Sequence, residues 1–301
     1  MTEMPKICFV LGMMPRTGTN WVYNLLMQSD HVGDIGPIWE DNLLNHIAIL
    51  EGAAQKIVSS WNPDWKAHHQ KLEVKQLTES LQINLEFGIE KFILQQFRES
   101  SCKKDDPAYL VLKSPNAWQV IPPKMLLKRN KCIILIRNPH DLIASGISSF
   151  GWRLFGACNR YIQAAETIIH LNSESTQCSI ISFEDLRDNL DQSVQRLYDQ
   201  LELPVPSVDF LSLKVSGKSP ERKNEKVSWS ANSITSKEQI QKQTSKGMRL
   251  SKLQHTVVSE ICGPAGNSLG YTSDADKTPN VVRWSIRFAF HSFCFLKKLK
   301  G

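Results

Sequence analysis

The sequence has no long apolar run. Its first hydrophobic block, Ile7 to Met14, is too short and too soon interrupted by glycine to be a signal-peptide core or a membrane span. The seven cysteines, Cys8, Cys102, Cys132, Cys158, Cys178, Cys262 and Cys294, form no CxxC pair, no Cys/His metal spacing and no even disulfide set. That pattern argues against a structural metal or a secreted disulfide scaffold, and it fits a reducing, cytoplasmic compartment. Internal repeats and uninterrupted basic tracts are also missing. The formal charge is +6, but Lys and Arg are spread along the chain, so polyanionic ligands fit in a general way while nucleic acid is not expected. What the chain has is length and apolar content: 301 residues, 41% of them hydrophobic, suffice for a buried core and exclude global disorder.

Apolar blocks alternate with helical patterns. Ile7–Leu11 is a short β-rich run that leads into Gly12 and Pro15, after which Asn20 to Met27 carries apolar residues at helical spacing. Residues 42 to 58 and 71 to 100 read as helices, the second with Leu81, Leu85, Ile89, Ile93 and Phe97 on one core face. Tyr109–Leu112 and Cys132–Ile136 have no polar alternation, as expected for strands covered on both faces of a parallel sheet, and Cys178–Ser182 is a further strand candidate. The fold class is therefore α/β: one domain, with a mostly parallel sheet of about four or five strands flanked by helices, whose ligands gather beyond the carboxyl ends of the strands. Lys214 to Lys246 is polar and poor in residues to bury, which marks a mobile loop or lid. The domain is expected over residues 1–275, with a basic, aromatic helix or tail over 276–301.

Two strand ends carry the chemistry. Gly12 to Trp21 joins the first strand to a helix, so backbone N–H groups and the helix dipole converge where an anion can sit. Gly18 allows close backbone approach, Thr17, Thr19 and Asn20 add side-chain donors, and Arg16 adds a planar cationic fork. The segment is not a Walker A loop. Five residues separate Gly12 from Gly18 and Thr19 stands where the lysine is required, which lowers an ATP-dependent kinase to second place. The second site is Arg137-Asn138-Pro139-His140-Asp141, again a strand running into a helix start. There Arg137 can pair with a phosphate, and Ser145, two helical turns on, can return a hydroxyl to it.

Pro15-Arg16-Thr17-Gly18-Thr19-Asn20-Trp21 resembles the 5′-phosphosulfate loop of the nucleotide-dependent sulfotransferases, and Arg137 with Ser145 resembles their 3′-phosphate site. Order, strand context and separation agree with that family. Phe183-Glu184-Asp185-Leu186 is similar to its Tyr-Glu-Asp-Leu segment, Lys246 and Gly247 to its late Lys-Gly contact, and Cys262 to Tyr271 to the closing helix of bacterial and Golgi-type members. The resemblance covers roughly residues 5 to 272. It implies a P-loop NTPase-like sulfotransferase fold and transfer of a sulfuryl group from 3′-phosphoadenosine-5′-phosphosulfate, without a metal, to a hydroxyl or amine on a small molecule, lipid or glycan. It also implies donor contacts at Pro15 to Trp21, Arg137, Ser145, Phe183, Lys246 and Gly247, with Arg16 and Lys113 stabilising charge on the transferred group and its leaving phosphate.

The base departs from the cytosolic branch. Where that branch has Lys-Thr-His, this chain reads Lys113-Ser114-Pro115-Asn116, so the lysine is kept and the histidine is not. Glu40, then Asp41, are the candidates in its stead, each with capping of the next helix as its alternative role. His31, His46 and His140 are titratable alternatives. The aromatic, basic stretch Val281 to Gly301 has two placements open, docking on its own domain or lying on a membrane surface. With the missing histidine it also supports a rival of another class, a non-catalytic nucleotide-binding or membrane-peripheral protein.

Overall fold

The computed structural model describes residues 5–34, 52–53, 56–60, 74–99, 106–117, 129–210, 215–223, 226–234, 250–272 and 279–299. Strand β1 (Lys6–Gly12) leads through a loop to helix α1 (Thr19–Leu26), and strand β2 (Val32–Asp34) follows. Next come helix α2 (Val74–Glu99) and strands β3 (Tyr109–Ser114) and β4 (Lys131–Ile136). Helices α3 (Pro139–Phe150) and α4 (Leu154–Glu174) run on to strand β5 (Cys178–Ser182), which passes straight into α5 (Phe183–Asp188) and α6 (Leu190–Gln200). A hairpin of β6 (Val215–Lys223) and β7 (Lys226–Ile234) precedes helices α7 (Lys252–Ser268) and α8 (Asn280–Leu299).

The main sheet has five strands in the order β2-β3-β1-β4-β5, every adjacent pair parallel. The apolar runs have no alternation because both faces of the sheet are covered. Side chains of a strand point alternately to its two faces. Ile7, Phe9 and Leu11 enter the core under α2, α3, α4 and α7, whereas Cys8 and Val10 enter the core under α1, α5 and α6. Within the stripe expected on α2, Ile89, Ile93 and Phe97 are buried while Leu81 and Leu85 are half-buried, so the C-terminal half of that helix does most of the packing. Tyr198 of α6 fixes the end of α1 from the side, its buried hydroxyl donating to the Leu25 carbonyl at 2.9 Å.

β1 lies between β3 and β4, so the chain visits both of its neighbours after leaving it. The register sets Gly12 beside Leu135. The segments that follow β1 and β4 therefore leave neighbouring strands at the same rim, the place where doubly wound sheets bind ligands.

Two features differ from the expectations. The edge strand β2 has three residues, too few for a periodic signal, and exists by pairing with Tyr109, Leu110 and Val111. The described part of the polar stretch after Lys214 is an antiparallel hairpin, from Val215 opposite Ile234 to Lys223 opposite Lys226, and β6 runs beside α1 and α3. Cross-strand backbone hydrogen bonds need no apolar run, so hydropathy alone missed it. Of the helix expected over 42–58, only 52–53 and 56–58 are described, and they are helical as expected.

Helix α8 docks on the domain. Glu260 of α7, its side chain fully buried, accepts from Arg283 Nε at 2.9 Å and from Arg287 Nε at 2.5 Å. Ile286 is buried beside them, and Phe290 and Phe293 pack against Phe155 of α4 with ring centroids 5.9 Å away in each case.

Candidate functional site

The loop after β1 is held open by its own backbone. Met13 N donates to the Leu135 carbonyl at 3.0 Å, which ties the loop to β4. Thr17, almost fully buried, closes it from within: its hydroxyl bonds the Met14 carbonyl, and Met14 N donates to Thr17 Oγ1 at 3.2 Å. Arg16 adopts φ 77° and Gly18 φ 112°. The left-handed region is costly for arginine, of order 1–3 kcal/mol, and natural for glycine. A Cβ at residue 18 would also lie 2.8 Å from the Phe183 ring. Gly18 is the N-cap of α1 and makes no side-chain capping bond, so the first N–H groups of that helix, with its positive dipole end, face the loop.

The segment after β4 meets this loop directly. Arg137 Nη1 donates to the Arg16 carbonyl at 2.8 Å, and Arg16 Nε donates to Ser145 Oγ, on α3, at 3.3 Å. Arg16, Arg137 and Ser145 thus form one group, although 121 positions separate the two arginines. The Arg137 guanidinium lies 4.2 Å from the centroid of the Phe183 ring, and the edge of that ring meets Trp21 at 5.8 Å. Phe183 is buried and forms the floor beneath Arg137 and Gly18. On the far side of the loop, Lys113 Nζ bonds Asn20 Oδ1 and lies 5.6 Å from the Tyr23 ring centroid.

The start of α3 corrects one expectation. It is not an open helix terminus, because Asn138 caps it with its own side chain, accepting from His140 N at 2.9 Å. Anion attraction at this second position comes from Arg137 and Ser145 rather than from helix amides. Glu184, not a candidate from the sequence, holds the turn: Oε1 accepts from Asn138 N at 3.0 Å and Oε2 from the Tyr271 hydroxyl at 2.8 Å. Its signal was present in Phe183-Glu184-Asp185-Leu186, but only folding brings Tyr271 and Asn138 to it. His140 points elsewhere, with Nε2 2.9 Å from Ser259 Oγ and its ring stacked on His255 at 4.0 Å.

Burial lowers the pKa of Arg16 from its ordinary value. Burial also lowers that of Arg137, with Asp141 and Glu184 opposing the shift and Arg16 adding to it. Arg137 Nε is buried and has no hydrogen-bond partner among the described residues, which leaves a charged donor unmatched in the group. A phosphate oxygen is the kind of partner it lacks, and the φ of Gly18 and the uncapped start of α1 direct the first amides of that helix toward another. The residues present therefore fit a phosphorylated nucleotide. Glu40, Asp41, Lys246 and Gly247 lie outside the described residues.

Fold and site together define an α/β protein with a parallel sheet and a strand–loop–helix anion cradle that is not a Walker A loop. Residues 8–207 match the family described as Sulfotransferase family. The chain belongs to this family, and its chemistry is sulfuryl transfer. Among solved structures it is similar to a sulfotransferase domain from the curacin biosynthetic pathway, at 18% identity and TM-score 0.48, over 90% of this chain and 100% of that one. It is similar to a sulfotransferase from Alicyclobacillus acidocaldarius, at 11% identity and TM-score 0.49, over 93% and 99% of the two chains. It is also similar to retinol dehydratase solved with androsterone and the inactive cofactor PAP, at 14% identity and TM-score 0.33, over 68% and 63%. Among curated proteins there is no match.

Proposed function

We propose that this protein transfers the sulfuryl group of 3′-phosphoadenosine-5′-phosphosulfate to a hydroxyl or amine acceptor. The observation that carries the donor assignment is the contact between Arg137 and the Arg16 backbone, which makes one site of two phosphate-seeking segments and leaves Arg137 Nε unmatched. A nucleotide with phosphates at both ends suits that arrangement better than one with phosphates at a single end.

The donor supplies an activated sulfuryl group on its 5′-phosphate. Residues 15–21 would hold that end through the amides of the loop, Thr17, Thr19 and Asn20, with Trp21 and Phe183 as packing behind them. Arg137 and Ser145, with Lys246 and Gly247, would hold the 3′-phosphate. Arg16 and Lys113 bracket the loop and would stabilise negative charge on the transferring and leaving oxygens. The acceptor oxygen or nitrogen forms a bond to sulfur as the bond from sulfur to the leaving phosphate oxygen breaks, and that oxygen keeps the electron pair. The acceptor proton goes to a carboxylate, assigned to Glu40, with Asp41 next. No step requires a metal.

Isothermal titration with 3′-phosphoadenosine-5′-phosphate tests the donor site, and labelled donor with a cell extract tests the transfer. Arg16→Ala and Arg137→Ala should each weaken the nucleotide about 100-fold or more, the loss of charge-assisted hydrogen bonds worth ~3 kcal/mol. Glu40→Gln should bind it normally and lose turnover. Magnesium-dependent ATP turnover with no response to the 3′-phosphorylated nucleotide would overturn the assignment.

A further inference from the structure

Docking of α8 uses only part of its circumference. Arg283, Ile286, Arg287, Phe290, Phe293 and Cys294 face α7 and α4. Val281, Trp284, Phe288, Phe295 and Leu299 do not, and each is between 62% and 78% exposed. At about 100° per residue these five fall within an arc of about 60°, along about 27 Å of helix. Trp284 and Phe288 stack on one another at 5.6 Å rather than on the domain. Large apolar side chains aligned in an exposed stripe mark an interaction surface.

The charges identify the occupant. Along the edge of the stripe lie His291 and Lys298, Lys297 is exposed near the end, Arg287 is already paired with Glu260, and the helix contains no Asp or Glu. A second copy laid parallel along this stripe would bring the Lys297–Lys298 end of one helix against the same end of the other. An anionic lipid surface would neutralise the same charges while the aromatic side chains enter the boundary between headgroups and acyl chains. No helix among the described residues is long and apolar enough to cross a membrane, so α8 would lie on the surface with its opposite face still fixed to the domain. We infer that the outer face of α8 docks this enzyme onto an anionic membrane surface.

Flotation of the full chain with vesicles of mixed phosphatidylserine and phosphatidylcholine tests this. The protein should float with these vesicles, remain behind with pure phosphatidylcholine, and be released as salt is raised. Trp284→Ser with Phe288→Ser should lower the floated fraction at least tenfold, and Lys297→Gln with Lys298→Gln should lower it severalfold. Both double variants should keep the melting temperature and the nucleotide affinity of the wild type, because the altered side chains are exposed and remote from the cradle. Four outcomes would overturn the inference: no flotation, equal flotation with neutral vesicles, unchanged flotation of the serine double variant, or a dimer in sedimentation velocity that this variant converts to monomer.

Discussion

Arg137 works under opposing demands. Burial disfavours its charge, while Asp141 and Glu184 support it and the Phe183 face beneath it offers a cation–π contact. Replacing it with lysine keeps the charge but loses the planar fork, so Arg137→Lys should recover only a small part of the nucleotide affinity lost in Arg137→Ala, as read by titration. Gly18 is constrained twice, by φ 112° and by the Phe183 ring 2.8 Å from where a Cβ would stand. Gly18→Ala should cost about 1–2 kcal/mol from the backbone term alone, measured by chemical denaturation, and adding Phe183→Ala should not restore that part, because removing the ring leaves φ unchanged. The placement of Arg16, Gly18 and Arg137 in the turns that follow strands was legible from their types and positions. That Ser145 touches Arg16, and that Asn138 caps its own helix, was not, because both depend on how α3 is placed against the loop.

At the scale of elements, Glu184 joins the N-cap residue of α3 to the chain beyond α7 through two hydrogen bonds. Glu184→Ala should destabilise the protein by about 2–3 kcal/mol, since an inward-facing backbone N–H and a mostly buried tyrosine hydroxyl lose their acceptors, whereas Glu184→Gln should cost under ~1 kcal/mol. Helix α8 hangs on a comparable link. Glu260→Ala removes the acceptor of both Arg283 and Arg287, and because those guanidinium groups reach solvent the cost should be about 1–3 kcal/mol rather than that of a wholly buried pair. Hydrogen exchange in residues 280–299 should accelerate more than in the sheet. The strands β1, β3, β4 and β5 were legible as unbroken apolar runs. The hairpin β6–β7 and the edge strand β2 were not, since a polar hairpin and a three-residue strand take their definition from backbone pairing.

Over the whole molecule, the sheet with helices on both faces sequesters most of the tyrosines. Burial pushes up the phenols of Tyr161, Tyr198 and Tyr271, and Tyr109 rises to about 12. The sign follows from linkage: with folded pKa values above the ordinary 10.0, the native state keeps protons that the unfolded chain releases. Stability is complete below the unfolded value and falls as pH rises past it, by up to about 1.4 kcal/mol per pH unit for each such group. Denaturation titrations at rising alkaline pH should show this decline, with tyrosinate absorbance from these groups rising at higher pH in the folded chain than in the unfolded one. The sequence by itself determined the alternation of strand and helix, the two strand-to-helix segments that carry Arg16 and Arg137, and the absence of the Walker lysine, because residue type and spacing act locally along a chain. Only the tertiary structure decided that the two segments are one site and that the final helix docks by one face and leaves an aromatic face outward. Adjacency of β1 with β4, and of α8 with Glu260, joins residues more than twenty positions apart, and such meetings are fixed by packing and topology rather than by any local pattern.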